Sequence, residues 1–294
     1  MLNNVSMQQS TLLHLRIPFS FFLAPIFLFA WSIAGQAVNW QATLIAFVAL
    51  HIFIYPASNG FNSYYDKDEK SIGGLRNPPP VSRELLVVSL VFDLVGVLLG
   101  TLVSWQFALA LLVYGLVSKA YSHPAVRLKR YPILSLVVIA VFQGAYTFLM
   151  SYHAVTGATV AELLSLRVLF PAICSSVMLL GSYPMTQIYQ HEEDAKRGDF
   201  TFSRMLGIRG TFLYTAVVFG GAIGGFGYYY QRFYSLHDGV MFIVALTPVL
   251  LFFLHWLNSA LKSPAHANFK NTMRLNATSA VCLNLFYVIF YYTH

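Results

Sequence analysis

Asn62-Ser63-Tyr64-Tyr65-Asp66-Lys67-Asp68-Glu69-Lys70 closes one long apolar stretch. Gln187-Ile188-Tyr189-Gln190-His191-Glu192-Glu193-Asp194, continued by Ala195-Lys196-Arg197-Gly198-Asp199, closes another. The chain has 11 acidic residues, and seven of them lie in these two segments. Acids near lipid are costly and by default mark function. Carboxylates gathered at two matching helix ends therefore point to a shared metal or diphosphate site.

The rest of the chain is apolar enough to make lipid its main solvent. It is 57% hydrophobic, 16% aromatic and 10% charged, whereas a soluble domain carries about 25% charged residues. The apolar runs are too long and too numerous for a signal peptide. The strict polar–apolar alternation of an outer-membrane barrel is absent. Nine spans are read from the runs, at about 17–35, 41–61, 84–103, 105–121, 132–151, 167–188, 208–230, 239–257 and 272–291. Most reach the roughly 20 residues that cross a bilayer. The expected fold is an all-α membrane protein, nine transmembrane helices in a single bundle around a central cavity, with residues 1–294 forming one polytopic domain.

Charge orients the bundle. Of 18 basic residues, 16 fall at the N-terminal end or in even-numbered loops, and only Arg167 and Arg232 fall on the other side. The positive-inside rule then places the N-terminus, both acidic segments and the site they form in the cytoplasm, and His294 outside. A bacterial plasma membrane suits this pattern. The net charge of +7 fits an anionic leaflet or a phosphorylated substrate. With no basic arm and no soluble domain, a nucleic-acid partner is not expected. Cys174 and Cys282 lie inside spans and read as packing residues.

Helical spacing organises each acidic segment. Asn62 and Asp66 share a helix face, and Glu69 lies three residues beyond, on the same face. Asp68 points elsewhere unless the helix has already ended. In the second segment Gln187, Gln190 and Asp194 share a face, with Glu193 beside it. Oxygen donors stacked in this way suit Mg2+, which binds through a few carboxylates plus substrate phosphates. Taken singly, each cluster reads equally as a solvated helix end with ordinary surface ion pairs. Two clusters at equivalent spans on one side favour a joint site. Gly73-Gly74 and Pro78-Pro79-Pro80 make the 62–83 loop irregular, and Gly198 and Gly207 punctuate the second long loop.

These motifs resemble those of the UbiA superfamily of intramembrane prenyltransferases, which have nine helices and two aspartate-rich motifs at the second and sixth. The first motif, N-D-x-x-D-x-x-x-D, is matched by Asn62 and Asp66, with Ser63 and Lys70 replacing aspartates. The second, D-x-x-x-D followed by glycine, an acid and threonine, is matched by Asp194, Gly198, Asp199 and Thr201, with Gln190 replacing its first aspartate. Leu15-Arg16-Ile17-Pro18 is similar to the start of the family's first helix. Tyr121-Ser122 and Arg127-Leu128-Lys129-Arg130 are similar to its basic segment after the fourth. The likeness runs from about residue 12 to 291.

The resemblance implies a Mg2+-dependent transfer of a prenyl group from a prenyl diphosphate to an aromatic or quinone-precursor acceptor within the membrane. Asp66, Asp194 and Lys119 are the implied catalytic residues, and Asn62, Asp66, Glu69, Gln190 and Asp194 the implied metal ligands. Arg16, Asn62, Tyr65, Tyr121, Arg127, Lys129, Gln190 and Lys196 are the implied substrate contacts. An allylic cation needs electron-rich faces, for which Tyr64, Tyr65, Tyr121, Tyr146, Tyr183 and Tyr189 are candidates. Asp93, in the middle of a span, is either functional or an interhelical contact. Two other readings stand beside this one: an ion-coupled transporter built from repeated halves, and a non-catalytic, lipid-binding relative of the family.

Overall fold

A computed structural model describes residues 6–294; residues 1–5, and with them the extreme N-terminus whose side the charge bias addresses, lie outside the described residues. The protein is all-helical. Among the described residues, eight segments are long and apolar enough to cross a membrane. The first three are α1 (Met7–Ser32), α2 (Trp40–Asp66) and α3 (Arg83–Thr101). After α4 (Trp105–Ser122) come α5 (Pro132–Thr156) and α6 (Leu166–Gln187). A short α7 (His191–Arg197) precedes α8 (Phe202–Phe233), α9 (Leu236–Lys262) and α10 (Phe269–Thr293). The expected fourth span coincides with α4, a helix of 18 residues. It is not one of the eight, because Gln106 and Lys119 dilute its apolar character.

Several helices are interrupted where the sequence explains it. In α1 the chain turns left-handed at Arg16 (φ 49°) and continues as a 3-10 turn through Pro18. The segment before Arg16 is anchored by a capping box between Ser6 and Gln9. Its buried Ser10, Thr11 and His14 bond to Pro80, Ser82 and Pro79. Those bonds satisfy polar groups of the irregular proline run, whose carbonyls have no helical partner. Both α2 and α5 contain a π-helical stretch, Ala49–Ile54 and Ala140–Tyr146; such stretches are frequent at functional sites. At Gly207 (φ 67°) the start of α8 is kinked, in backbone geometry that a side chain would strain.

The spanning helices pack chiefly on their chain neighbours, α1 on α2, α2 on α3, α3 on α4, α5 on α6, α6 on α8, α8 on α9 and α9 on α10; α10 packs back on α1, and α1 also packs on α5. At the end remote from the acidic segments the core is aromatic. Phe29 stacks on Tyr287 and meets Phe148, Phe226 and Tyr230. The outer surface carries Val87, Leu94, Leu98, Val217, Leu251 and Leu285, all exposed. Apolar surface on this scale is what a helix presents to lipid and not to water.

Candidate active site

The first acidic segment ends α2. Its last residue is Asp66, and Lys67 follows in a left-handed conformation (φ 50°), its N–H bonded to the Ser63 carbonyl at 3.0 Å. The helix has therefore ended before Asp68 and Glu69. Asp68 folds back to line the same cavity as Asp66, and Glu69 is left exposed. The expected stacking of Glu69 above Asp66 does not form, because that spacing argument needs one more helical turn. Asn62, one turn earlier, accepts a hydrogen bond from the Ser122 hydroxyl at 2.6 Å.

The second segment is a break followed by a new helix. Pro184 removes a backbone donor from the last turn of α6, and the chain reaches Gln190 outside any helix. Gln190 then sits at the N-cap position of α7, whose first turn carries Glu192, Glu193 and Asp194, where the helix dipole favours negative charge. Gly198 (φ 74°) ends α7 and brings Asp199 back, with its N–H bonded to the Asp194 carbonyl at 2.8 Å. The Thr201 hydroxyl donates to Asp194 at 3.2 Å.

Between these ends lies a cavity of about 400 Å³. Its mouth holds Arg16, Asn62, Asp66, Asp68, Lys129, Gln190, Asp194, Arg197 and Asp199. Its depth is apolar, with Ile26, Phe142, Met178, Ile223, Leu246 and Leu283, relieved by Tyr114 and Gln143. A strap at 67–82 crosses the mouth. Arg16 donates to the Gly73 carbonyl at 3.0 Å, and the Gln190 amide lies 3.4 Å from the Ser71 carbonyl. At Gly74 (φ 80°) a Cβ would come within 2.8 Å of the Phe19 ring, so the strap passes there only as glycine.

One ion-pair network joins the two segments. Lys129 pairs with Asp66. Arg127 lies 3.7 Å from Asp66 and grips Asp199 at 2.8 Å. Arg197 pairs with Asp68, with Asp194 at 2.6 Å and with Asp199 at 3.3 Å. Lys129, Asp194 and Asp199 are buried, so these pairs are far less screened than surface ones. Burial first, then the charge of Asp199, pushes the Asp194 carboxyl up to about 7. Burial acts upward on Asp199 too, but the Arg127 hydrogen bond and the charges of Lys129, Arg127 and Arg197 outweigh it and hold that carboxyl below its ordinary value. Arg127 is raised chiefly by the same bond. Among the described residues, only Arg16, Lys67 and Arg127 combine a side chain with a positive φ. All three are basic and border this mouth, where backbone strain commonly accompanies function.

Of the residues singled out by sequence, Arg16, Asn62, Asp66, Tyr121, Lys129, Gln190 and Asp194 line the cavity, and Arg127 reaches it through Asp199 and Asp66. Four do not. Lys119 pairs with Asp93 of α3 and lies over the Phe61 ring, because its position on α4 faces α3. Tyr65 packs on Phe61 and His123. Lys196 is exposed and pairs locally with Glu193, one residue short of Arg197, which points inward. Glu69 is exposed for the reason above. Among the other tyrosines, Tyr183 and Tyr189 line the cavity, with the Tyr121 and Tyr183 hydroxyls bonded to each other; Tyr64 and Tyr146 do not line it. Sequence reasoning gave Arg197 and Gln143 no role in the site and set Asp68 off the ligand face. Of these, only Asp68 had a signal, the proviso that the helix might end early.

The donor set suits Mg2+ of a particular kind. Asn62, Asp66, Gln190 and Asp194 offer hard oxygen donors around one mouth. No group of three or more His, Cys, Asp or Glu side chains able to hold an ion unaided occurs among the described residues. Mg2+ ordinarily takes one or two carboxylates together with substrate phosphates and water. The site fits an ion held weakly by these donors alone and firmly once a phosphorylated ligand adds its oxygens.

Comparison with solved structures places the fold. The chain aligns with a UbiA homolog from Archaeoglobus fulgidus bound to DMAPP and Mg2+, with TM-score 0.72 and 15% identity over 97% of this chain and 98% of that one. The same homolog bound to GPP and Mg2+ gives TM-score 0.70 at 16% identity, with coverage of 97% and 98%. The apo structure of a UbiA homolog from Aeropyrum pernix K1 gives 0.71 at 15% identity, covering 92% of this chain and 97% of that one. No curated protein matches. The model of the UbiA prenyltransferase family matches residues 22–278. With its membrane-spanning helices and that match over most of its length, the chain belongs to the UbiA prenyltransferase family.

Proposed function

We propose that this protein is an integral membrane prenyltransferase that transfers a prenyl group from a prenyl diphosphate to an aromatic or quinone-precursor acceptor, with Mg2+ at the mouth of the cavity. The observation that carries the proposal is the convergence of Asp66 and Asp194, from two helix ends far apart in sequence, on one cavity whose mouth is charged and whose depth is apolar. A prenyl diphosphate has the same division. The binding of DMAPP, GPP and Mg2+ by the A. fulgidus homolog supports it. We further propose that α4 completes nine spans in one domain, with the mouth facing the cytoplasm, in agreement with the basic bias of that end.

In this reading Asp66 and Asp194, assisted by Asn62 and Gln190, hold the ion. When bound, Mg2+ neutralises the diphosphate and so makes it a better leaving group. Arg16, Lys129 and Arg197 supply further positive charge to the phosphate oxygens. The allylic C–O bond breaks with its electron pair going to the diphosphate. The acceptor then bonds to the allylic carbon and gives up its proton to the released diphosphate. Tyr121, Tyr183 and Tyr189 face the developing cation, and the strap excludes water from it.

One observation favours a second reading, a non-catalytic relative. Each mouth carboxylate already has a basic partner within the chain. Purified protein incubated with labelled prenyl diphosphate, Mg2+ and a panel of acceptors separates the two. Prenylated product that disappears with chelator supports transfer, and bound but unreacted prenyl diphosphate supports the second reading.

A further inference from the structure

A second groove lies beside the mouth and shares Met273 with the cavity; it is lined by Ser71, Arg76, Phe269, Lys270, Met273 and Arg274 among others, and no acid lines it. Lys270 and Arg274 are four residues apart in the first turns of α10 and so share a face. Arg76 reaches the groove from the strap. None of the three forms an ion pair with Asp or Glu among the described residues, whereas the neighbouring Lys70 pairs with Glu192 and Lys196 with Glu193. Two distant segments thus bring three positive charges to one concavity whose lining carries no acid. The opposite chemistry is also present, because Phe269 and Met273 give the groove apolar surface. The strap is fastened to this wall, with the Gly74 N–H on the Met273 sulfur at 3.4 Å.

We infer that this groove binds the headgroup phosphate of an anionic phospholipid, with Phe269 and Met273 against the glycerol end of the acyl chains. Basic pockets between membrane helices at the membrane surface recognise such headgroups. The groove sits where α10 begins, at the level a headgroup occupies beside a spanning helix. Its apolar wall distinguishes a lipid from free phosphate or diphosphate, which would gain nothing from it. The inference rests on the chain spanning a membrane and is independent of prenyl transfer.

The test uses the full chain, delipidated in mild detergent and placed in phosphatidylcholine nanodiscs containing a minor fraction of phosphatidylglycerol. Lipid retained on re-extraction is counted by native mass spectrometry. Wild type is expected to enrich phosphatidylglycerol, and each of Arg76→Gln, Lys270→Gln and Arg274→Gln to lower the enrichment about fivefold, the effect of one surface cation on anionic lipid. All three positions are exposed, so each variant is expected to fold, and its melting curve checks that it does. Millimolar inorganic diphosphate is expected to leave the lipid in place. Equal enrichment in folded variants overturns the inference. So does equal retention of both lipids, or displacement of the lipid by diphosphate, which would make the groove a site for soluble phosphates.

Discussion

Arg127 donates from Nε and Nη2 to the two carboxylate oxygens of Asp199, at 2.8 and 2.9 Å. This fork ties the turn before α5 to the chain between α7 and α8, 72 residues away, and fixes the mouth in one arrangement. A lysine cannot reproduce a bidentate fork. Arg127→Lys is therefore expected to lower both activity and melting temperature. Arg127→Ala, which strips the main partner from a carboxylate 1% exposed, is expected to cost about 3 kcal/mol. Lys196→Ala, at an exposed local pair, is expected to change stability by no more than about 0.5 kcal/mol. Thermal melts and steady-state rates of the three variants check this ordering.

Lys119 and Asp93 form a pair inside the membrane, away from the cavity lining. Removing one partner leaves the other charge unpaired among apolar helices, at a cost of about 3–5 kcal/mol. Lys119→Met alone is expected to melt early. Lys119→Met with Asp93→Asn is expected to recover most of the loss, since a buried pair replaced as a unit is often neutral. Turnover per folded molecule should match wild type in the double variant. A double variant that is stable but inactive would restore Lys119 to the chemistry.

The raised Asp194 carboxyl gives a pH dependence. With its ionisation near pH 7, Asp194 is mostly protonated below that value and must lose its proton to ligate a metal. Mg2+ affinity of the substrate-free protein is expected to rise about tenfold per unit as pH climbs toward 7, and to level off above 8. Asp199, held below the ordinary range, stays ionised throughout and adds no slope. Calorimetric Mg2+ titrations at pH 6, 7 and 8 measure this, and a flat profile would mean Asp194 is not a ligand.

Gln190 lines the mouth as a neutral amide where the family's motif carries an acid. Gln190→Asp adds a full charge at the cost of a 3.4 Å contact to the Ser71 carbonyl, too long to contribute much. The variant is expected to stay folded and to bind Mg2+ more tightly without prenyl diphosphate. Unchanged affinity in a calorimetric titration would show that Gln190 does not face the metal.

Most of the architecture was legible because lipid imposes a simple code of apolar runs, basic loops and acids only where needed. The helical bundle around a cavity and the meeting of Asp66 and Asp194 at its mouth follow from that code. The rest turned on local backbone events that helical periodicity does not carry. A left-handed Lys67 ends α2 early, so Asp68 takes the place expected for Glu69. A break after Gln187 re-phases the second segment, so Arg197 points inward and Lys196 outward. Lys119 misled because a cation near a helix end reads the same whether it faces a cavity or an acid on the next helix. The span at α4 is borderline for a similar reason, since the polar residue that pairs with Asp93 also dilutes its hydropathy.

The most direct measurement is the rate of labelled prenyl transfer by wild type, Asp66→Asn and Asp194→Asn, each shown folded by its melting curve, with Mg2+ and with excess chelator. Asparagine keeps the shape and some hydrogen bonding of each carboxylate, so the loss reports charge at the metal and not collapse of the mouth. Wild type is expected to turn over only with Mg2+, and each variant to fall by about 100- to 1,000-fold, the usual effect of removing one preorganised electrostatic contact. Full turnover in either folded variant, or in wild type with the metal chelated, would contradict the assignment of these two aspartates as the centre of a Mg2+-dependent prenyltransferase.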